Sequence, residues 1–164
     1  MKPLTLIIAL SVLLAGCGTL GQSVEESRRV AELVGQRLDN LDYRIEINYM
    51  APFRGPGRVI TDSYSISVDG SVINSHLPYV GTVYSVPYGG GKVLTFKDDI
   101  DEYADSGWSN GQRKIVFSTN NDEDTIIYTL IVSDNASVDI RVRCRNREDI
   151  SYRGTLVTDE DDEE

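Results

Sequence analysis

The 164-residue sequence is poor in the residues that most often carry chemistry: it has two cysteines, one histidine and one tryptophan. Two cysteines, Cys17 and Cys144, cannot make the framework of paired bridges that holds a small secreted domain together. The lone histidine, His76, offers no triad by itself, and neither a nucleophile elbow nor a cysteine-protease signature accompanies it. No catalytic residue is assigned, and no cofactor or metal is implied. Positive charge is also scarce, with 16 Lys and Arg against 26 Asp and Glu and a net charge of −10. Binding nucleic acid needs a basic surface that displaces counterions, so no nucleic acid partner is expected. Long hydrophobic runs are missing as well. The longest, Leu4 to Leu14, is well short of the roughly 20 residues that cross a bilayer.

That short run, preceded by Lys2, has the form of a signal-peptide core. The residues that follow it, Leu14-Ala15-Gly16-Cys17, resemble the lipobox of bacterial lipoproteins, in which small residues fit the signal peptidase and the cysteine thiol takes a diacylglyceryl group. The expectation is a signal peptide over 1–16 and a mature chain that begins at a lipidated Cys17, its contact with the membrane. Two or more acyl chains, at about 0.8 kcal/mol per buried CH₂, make such attachment effectively permanent. With Gly18-Thr19-Leu20-Gly21-Gln22, no Asp after the cysteine and no early acidic cluster, the resemblance to bacterial lipoproteins implies the outer membrane, facing the periplasm.

Removing residues 1–16 leaves a length suited to one domain that buries roughly 68–70% of its unfolded surface. Residues 158–164 form an acidic tail with no apolar residue after Val157, expected to be disordered. Between lies the domain, 23–157, joined to the anchor by a lipidated linker, 17–22. Ser23 and Glu26 make a capping-box signature. Val30, Leu33, Val34, Leu38 and Leu41 then recur at helical spacing, and Asn40 offers a stop. The apolar stripe suits packing on the domain better than lying on lipid, because the polar face carries both signs of charge.

After the helix the period changes to two. Tyr43, Ile45, Ile47 and Tyr49 alternate with Arg44, Glu46, Asn48 and Met50, and further strands are expected at 58–68, 71–77, 79–86, 92–97, 112–119, 125–133, 137–145 and 150–157. Asp69-Gly70 reads as a two-residue hairpin turn. Asn120 to Asp124 and Asp134-Asn135-Ala136 mark two more. With one helix and no βαβ pattern the sheet must be antiparallel, and so many strands curl or close to remove their edges. The fold class is all-β with one N-terminal helix: an antiparallel lipocalin-like barrel or strongly curled sheet, with a β-sandwich as the alternative.

The most distinctive segments are Leu77-Pro78-Tyr79-Val80-Gly81, then Tyr84-Ser85-Val86-Pro87-Tyr88-Gly89-Gly90-Gly91. With the lipobox, Asn48-Tyr49-Met50-Ala51-Pro52-Phe53-Arg54-Gly55 and Ser151-Tyr152-Arg153-Gly154, they make the chain resemble an uncharacterised Bacteroidetes lipoprotein family, domain of unknown function 4251. The likeness covers nearly the whole mature chain except the acidic tail. It implies an envelope lipoprotein with a lipocalin-like barrel, and it supplies no activity.

Among these residues Pro87 and Gly89 fit a type I turn, and three glycines give the backbone unusual freedom. Tyr79, Tyr84, Tyr88, Gly89, Gly90 and Gly91 are therefore a candidate binding surface, although tyrosines that simply plug a barrel end would look the same. Gly89-Gly90-Gly91-Lys92 is no phosphate loop, since Val86 and Val93 stand where a glycine and a Ser or Thr are required. Asp98-Asp99 with Asp101-Glu102, and Asp122-Glu123-Asp124, lack the spacing of a calcium loop. Cys144 continues the series Val138, Ile140, Val142 and reads as a core residue. Arg141, Arg143, Arg145 and Arg147 alternate along a strand at spacings of about 6.8 Å, a candidate anion-contact stripe, unless acids such as Glu148 and Asp149 pair with it. The function expected is a non-enzymatic envelope module binding a small amphiphile or an envelope partner. The alternatives are a structural lipoprotein or a cryptic hydrolase.

Overall fold

A computed structural model of the chain describes residues 18–84, 93–120 and 124–158. Residues 1–16, expected as a signal peptide, Cys17, Tyr88, Gly89 to Gly91 and residues 159–164 lie outside the described residues. One helix, α1 (Gly18–Asp39), precedes nine strands: β1 (Asp42–Pro52), β2 (Arg58–Asp69), β3 (Val72–Pro78), β4 (Val93–Asp99), β5 (Glu102–Ser109), β6 (Gln112–Asn120), β7 (Thr125–Ser133), β8 (Ser137–Cys144) and β9 (Ile150–Leu156). They form one antiparallel sheet in the order β4-β3-β2-β1-β9-β8-β7-β6-β5, strongly curled into a half-barrel. A single sheet rules out the sandwich.

The two sheet edges are consecutive in the chain. Ile100 donates its amide to Ser71 on the β3 side at 2.7 Å, and Asp101 donates to Ser118 of β6 at 2.9 Å. The segment 93–109 thus hands its hydrogen bonds from β3 to β6, and the curl brings the ends of the sheet to one bent stretch of backbone.

The helix starts five residues earlier than expected, so the linker 17–22 is helical from Gly18 and Ser23 is not its N-cap. No proline interrupts this stretch, and the Ser23 carbonyl accepts the Ser27 hydroxyl at 2.9 Å within the helix. The helix stops beside Asn40, but Leu41 takes the left-handed conformation, φ 53°. Its carbonyl accepts the Gly70 amide at 2.8 Å, which ties the helix end to the β2–β3 turn. The helix packs on the sheet as its stripe requires, with Val34 and Leu38 buried.

Three further expectations are corrected. The β2–β3 turn is Gly70-Ser71, because Asp69 still pairs with Val72; Gly70, at φ 57°, supplies the positive φ that a type II′ turn needs at its first position. No strand forms over 79–84, the described part of the strand expected at 79–86. The residues of it that are described make one isolated bridge, Val83 to Arg147, because Pro78 ends β3 and the chain turns in to bury Tyr79. β5 was not expected, since its polar sequence lacks the alternation of a half-buried strand. It is an edge strand with an irregularity between Asp105 and Trp108, where Gly107 has φ 68°.

The inside of the curl is filled. Tyr128, Tyr152, Phe117, Ile45, Met50 and Ile66 are among its fully buried side chains, and helix residues Val34 and Leu38 complete the core. Phe117 stacks on Tyr128 at 4.9 Å and on Tyr103 at 6.0 Å, a ladder across β5, β6 and β7.

Candidate functional site

One irregularity decides what faces outward at the β1–β9 seam. Ile47 pairs with Gly154 and Tyr49 with Arg153, so Asn48 is an extra residue in β1, a bulge. Before it Tyr43, Ile45 and Ile47 face the core; after it Met50 does. Tyr49, which simple alternation put with the core residues, is turned to the outer face. The backbones must approach closely for this to happen, because a Cβ on Gly154 would lie 2.1 Å from the Glu46 carbonyl oxygen.

Tyr49 then forms the end of a rung across four strands, Ile131–Asp139–Arg153–Tyr49, and the next rung is Thr129–Arg141–Ser151–Ala51. These eight residues line an open groove of about 400 Å³ on the outer face. Its shape follows from their sizes: small residues on the second rung leave a trough that the bulky first rung walls. The Arg153 guanidinium lies over the Tyr49 ring, 4.6 Å from its centroid, with Nε 3.6 Å from Asp139. Arg141 donates to Asp149 at 2.8 Å, and Arg143 reaches the same carboxylate at 3.8 Å. A groove with an apolar wall and guanidinium rims can hold an anionic group beside a non-polar one.

A second groove, about 710 Å³, lies between α1 and the β7–β8 turn, lined by Glu26, Arg28, Ala31, Asp134 and others. Its one basic side chain, Arg28, is already held by Glu25 and Glu32, so it offers less to a charged ligand.

The expected arginine stripe is shortened. Arg141 and Arg143 point outward, but β8 ends at Cys144, and Arg147 turns inward and is buried, 3.4 Å from Asp124 and over the Tyr79 ring at 5.6 Å. Arg145 is exposed beyond the strand. Of the two acids expected to pair with the stripe, Asp149 does, whereas Glu148 turns away to Arg54 at 3.3 Å and accepts the Thr82 amide at 3.0 Å. Arg153 joins the cationic edge from an outward position of β9, opposite Asp139; it was not among the expected site residues, because the register between β8 and β9 leaves no local mark in the sequence.

Of the tyrosine surface, Tyr79 is a filler. It is buried, and its hydroxyl shares its proton between the carbonyls of Thr82 and Glu148, at 3.0 and 3.1 Å. Burial pushes its pKa up to about 12. Tyr84 is 66% exposed and held only through its backbone in what the structure describes, its amide donating to Asn146 at 2.8 Å.

The sequence profile for a domain of unknown function, DUF4251, matches residues 25–156. The chain belongs to the DUF4251 family. The fold of this DUF4251 protein is similar to the crystal structure of a family member from Bacteroides eggerthii, with 16% identity, 79% of this chain and 87% of that one covered, and a TM-score of 0.63. At that identity the likeness establishes the fold alone. No curated protein matches the chain. Two of the segments that carried the family resemblance, Asn48–Gly55 and Ser151–Gly154, meet in the outer groove of this DUF4251 protein.

The two residues with the most reactive side chains are not brought together. His76 is exposed on β3, its Nδ1 2.9 Å from the Thr95 hydroxyl and its ring stacked on Tyr64 at 5.0 Å. Cys144 is half-buried against the core of the DUF4251 fold, and burial pushes its thiol up to about 12, which opposes the thiolate a nucleophile requires. Among the described residues no group of His, Cys, Asp and Glu is arranged to hold a metal ion.

Proposed function

We propose that this DUF4251 protein is a lipid-anchored, non-enzymatic module of the bacterial envelope, outer-membrane and periplasm-facing, that docks its ligand or partner in the outer-face groove. The observation that carries the reading is the contrast between the two faces of the sheet. Among the described residues, the inner face, where a lipocalin-like barrel would hold a small amphiphile, is lined by closely buried side chains such as Tyr128, Tyr152 and Phe117. The outer face has an open trough with cationic rims. An open groove covers one side of what it holds, which suits part of a larger partner better than a small molecule, whose sites bury most of its surface.

The anchor rests on the lipobox at Cys17. No helix among the described residues is long and apolar enough to cross a membrane. α1 begins directly after the cysteine, and Ser23 to Arg29 are exposed before packing starts at Val30. At 1.5 Å per residue this leading half of the helix accounts for roughly 18 Å between lipid and sheet. Cys17→Ala is expected to leave the membrane fraction; continued attachment would sink the anchor. For the groove, material retained from the native envelope is compared between the wild type and Tyr49→Ala or Arg153→Ala and identified by mass spectrometry. Loss of one defined species from both variants supports the groove. Identical retention removes it.

A further inference from the structure

We infer that the occupant of the groove is an acidic, extended polypeptide segment of a protein partner, laid along β8 so that carboxylates two residues apart meet Arg141 and Arg143. This deepens the docking reading and rests on it. Charge comes first. In a chain of net charge −10, this face gathers Arg141, Arg143 and Arg153, with side chains 59%, 62% and 65% exposed, against two carboxylates, Asp149 and the Asp139 that meets Arg153. A single carboxylate, Asp149, serves both Arg141 and Arg143, so the pair keeps one uncompensated positive charge. Exposed ion pairs of this kind contribute little, about 0–1 kcal/mol, and give way readily to a ligand that brings more carboxylates.

Spacing comes second. Arg141 and Arg143 are successive outward residues of one strand, about 6.8 Å apart, and the same-face side chains of any extended peptide repeat at that distance. A Glu-x-Glu segment therefore meets both arginines without bending. The flank is suitable as well: Ile127 stands beside Arg143 and Thr129 beside Arg141, an exposed isoleucine and a small side chain that leave room for a peptide backbone.

The chain carries acidic residues of its own at 159–164, and their deletion separates an occupant in cis from a separate acidic segment.

The test uses full-length protein in nonionic detergent and a labelled peptide of alternating Glu and Thr. The comparison peptide carries equal charge with Glu at every third position, which puts successive carboxylates on opposite faces of a strand. The alternating peptide is expected to bind at least tenfold tighter, and Arg141→Gln with Arg143→Gln to remove most of that binding. Arg44→Gln, on the outer face of β1, changes neither. Equal binding of the two peptides, stronger binding of dextran sulfate, or loss of binding only when residues 159–164 are deleted overturns the proposal. If the Tyr49 and Arg153 variants lose a native partner while the wild type ignores acidic peptides, the docking reading stands and the acidic occupant falls; if neither effect is seen, both fall.

Discussion

Gly154→Ala puts the smallest possible side chain where β1 and β9 come closest. The new Cβ would sit 2.1 Å from the Glu46 carbonyl oxygen and 3.0 Å from Ile45 Cγ2, and Cβ atoms essentially never approach other atoms within 3.0 Å. The obstacle is backbone, so relief requires the seam to part by about 1 Å. Overpacking of this sort costs about 1–3 kcal/mol. Stretching two ladder hydrogen bonds beside the bulge adds about 1–2 kcal/mol. The expected loss is about 2–5 kcal/mol out of the roughly 5–15 kcal/mol typical of a domain. It is read as a lower urea midpoint at unchanged slope. A survivor is also expected to lose the bulge geometry that turns Tyr49 outward, and with it the stacking under Arg153. A loss below about 0.5 kcal/mol would show that the seam yields freely and that the bulge does not depend on this glycine.

Cys144→Ser is expected to cost about 1–3 kcal/mol by chemical denaturation, the price of a poorly paired hydroxyl at a half-buried apolar position, and rapid labelling of the native thiol by a bulky reagent would contradict that placement. Thr119 is fully buried and its hydroxyl has no partner among the described residues, so Thr119→Val should raise stability by about 1 kcal/mol, and a loss instead would reveal a partner. Arg113, buried on β6, grips Asp105 through Nε at 2.9 Å and holds its carboxyl below the usual range. That contribution is complete above the ordinary carboxylate range and is lost as pH falls through the depressed value. Asp105→Asn should therefore flatten the fall in stability below about pH 5, and an unchanged acid limb would refute it. Tyr84→Ala should alter stability by less than about 0.5 kcal/mol, whereas Tyr79→Phe, which frees two carbonyls, should cost about 1–2 kcal/mol; equal effects would mean the two tyrosines are not filler and surface residue.

The periodicities that survive averaging were legible in the sequence. The helix stripe, the inward series Val138, Ile140, Val142 and the alternation in β6, β7 and β9 all mark one face against another, and the structure keeps them. What alternation cannot carry is an interruption of itself. One extra residue, Asn48, reverses the facing of everything after it in β1, so Tyr49 read as core and is at the groove. Arg147 read as the fourth member of a stripe because the end of β8 leaves no mark in the pattern. β5 was hidden by its edge position, where half its backbone has no neighbour and little apolar surface is buried. Its turn was not hidden: Asn110-Gly111, both at positive φ, is a hairpin signal that points back to a preceding strand. The groove itself depends on the register between strands distant in sequence, β1, β7, β8 and β9, which no local pattern records.

The central claim is that the functional face is the outside of the sheet over β7, β8, β9 and β1. A photo-activatable residue at Thr129, in the trough, and another at Ser67, on β2 away from it, test this directly in the native envelope. The account predicts a defined crosslinked product from Thr129 that disappears with Arg141→Glu and is absent from Ser67. Equal products from both positions, or a Thr129 product indifferent to Arg141→Glu, would contradict it.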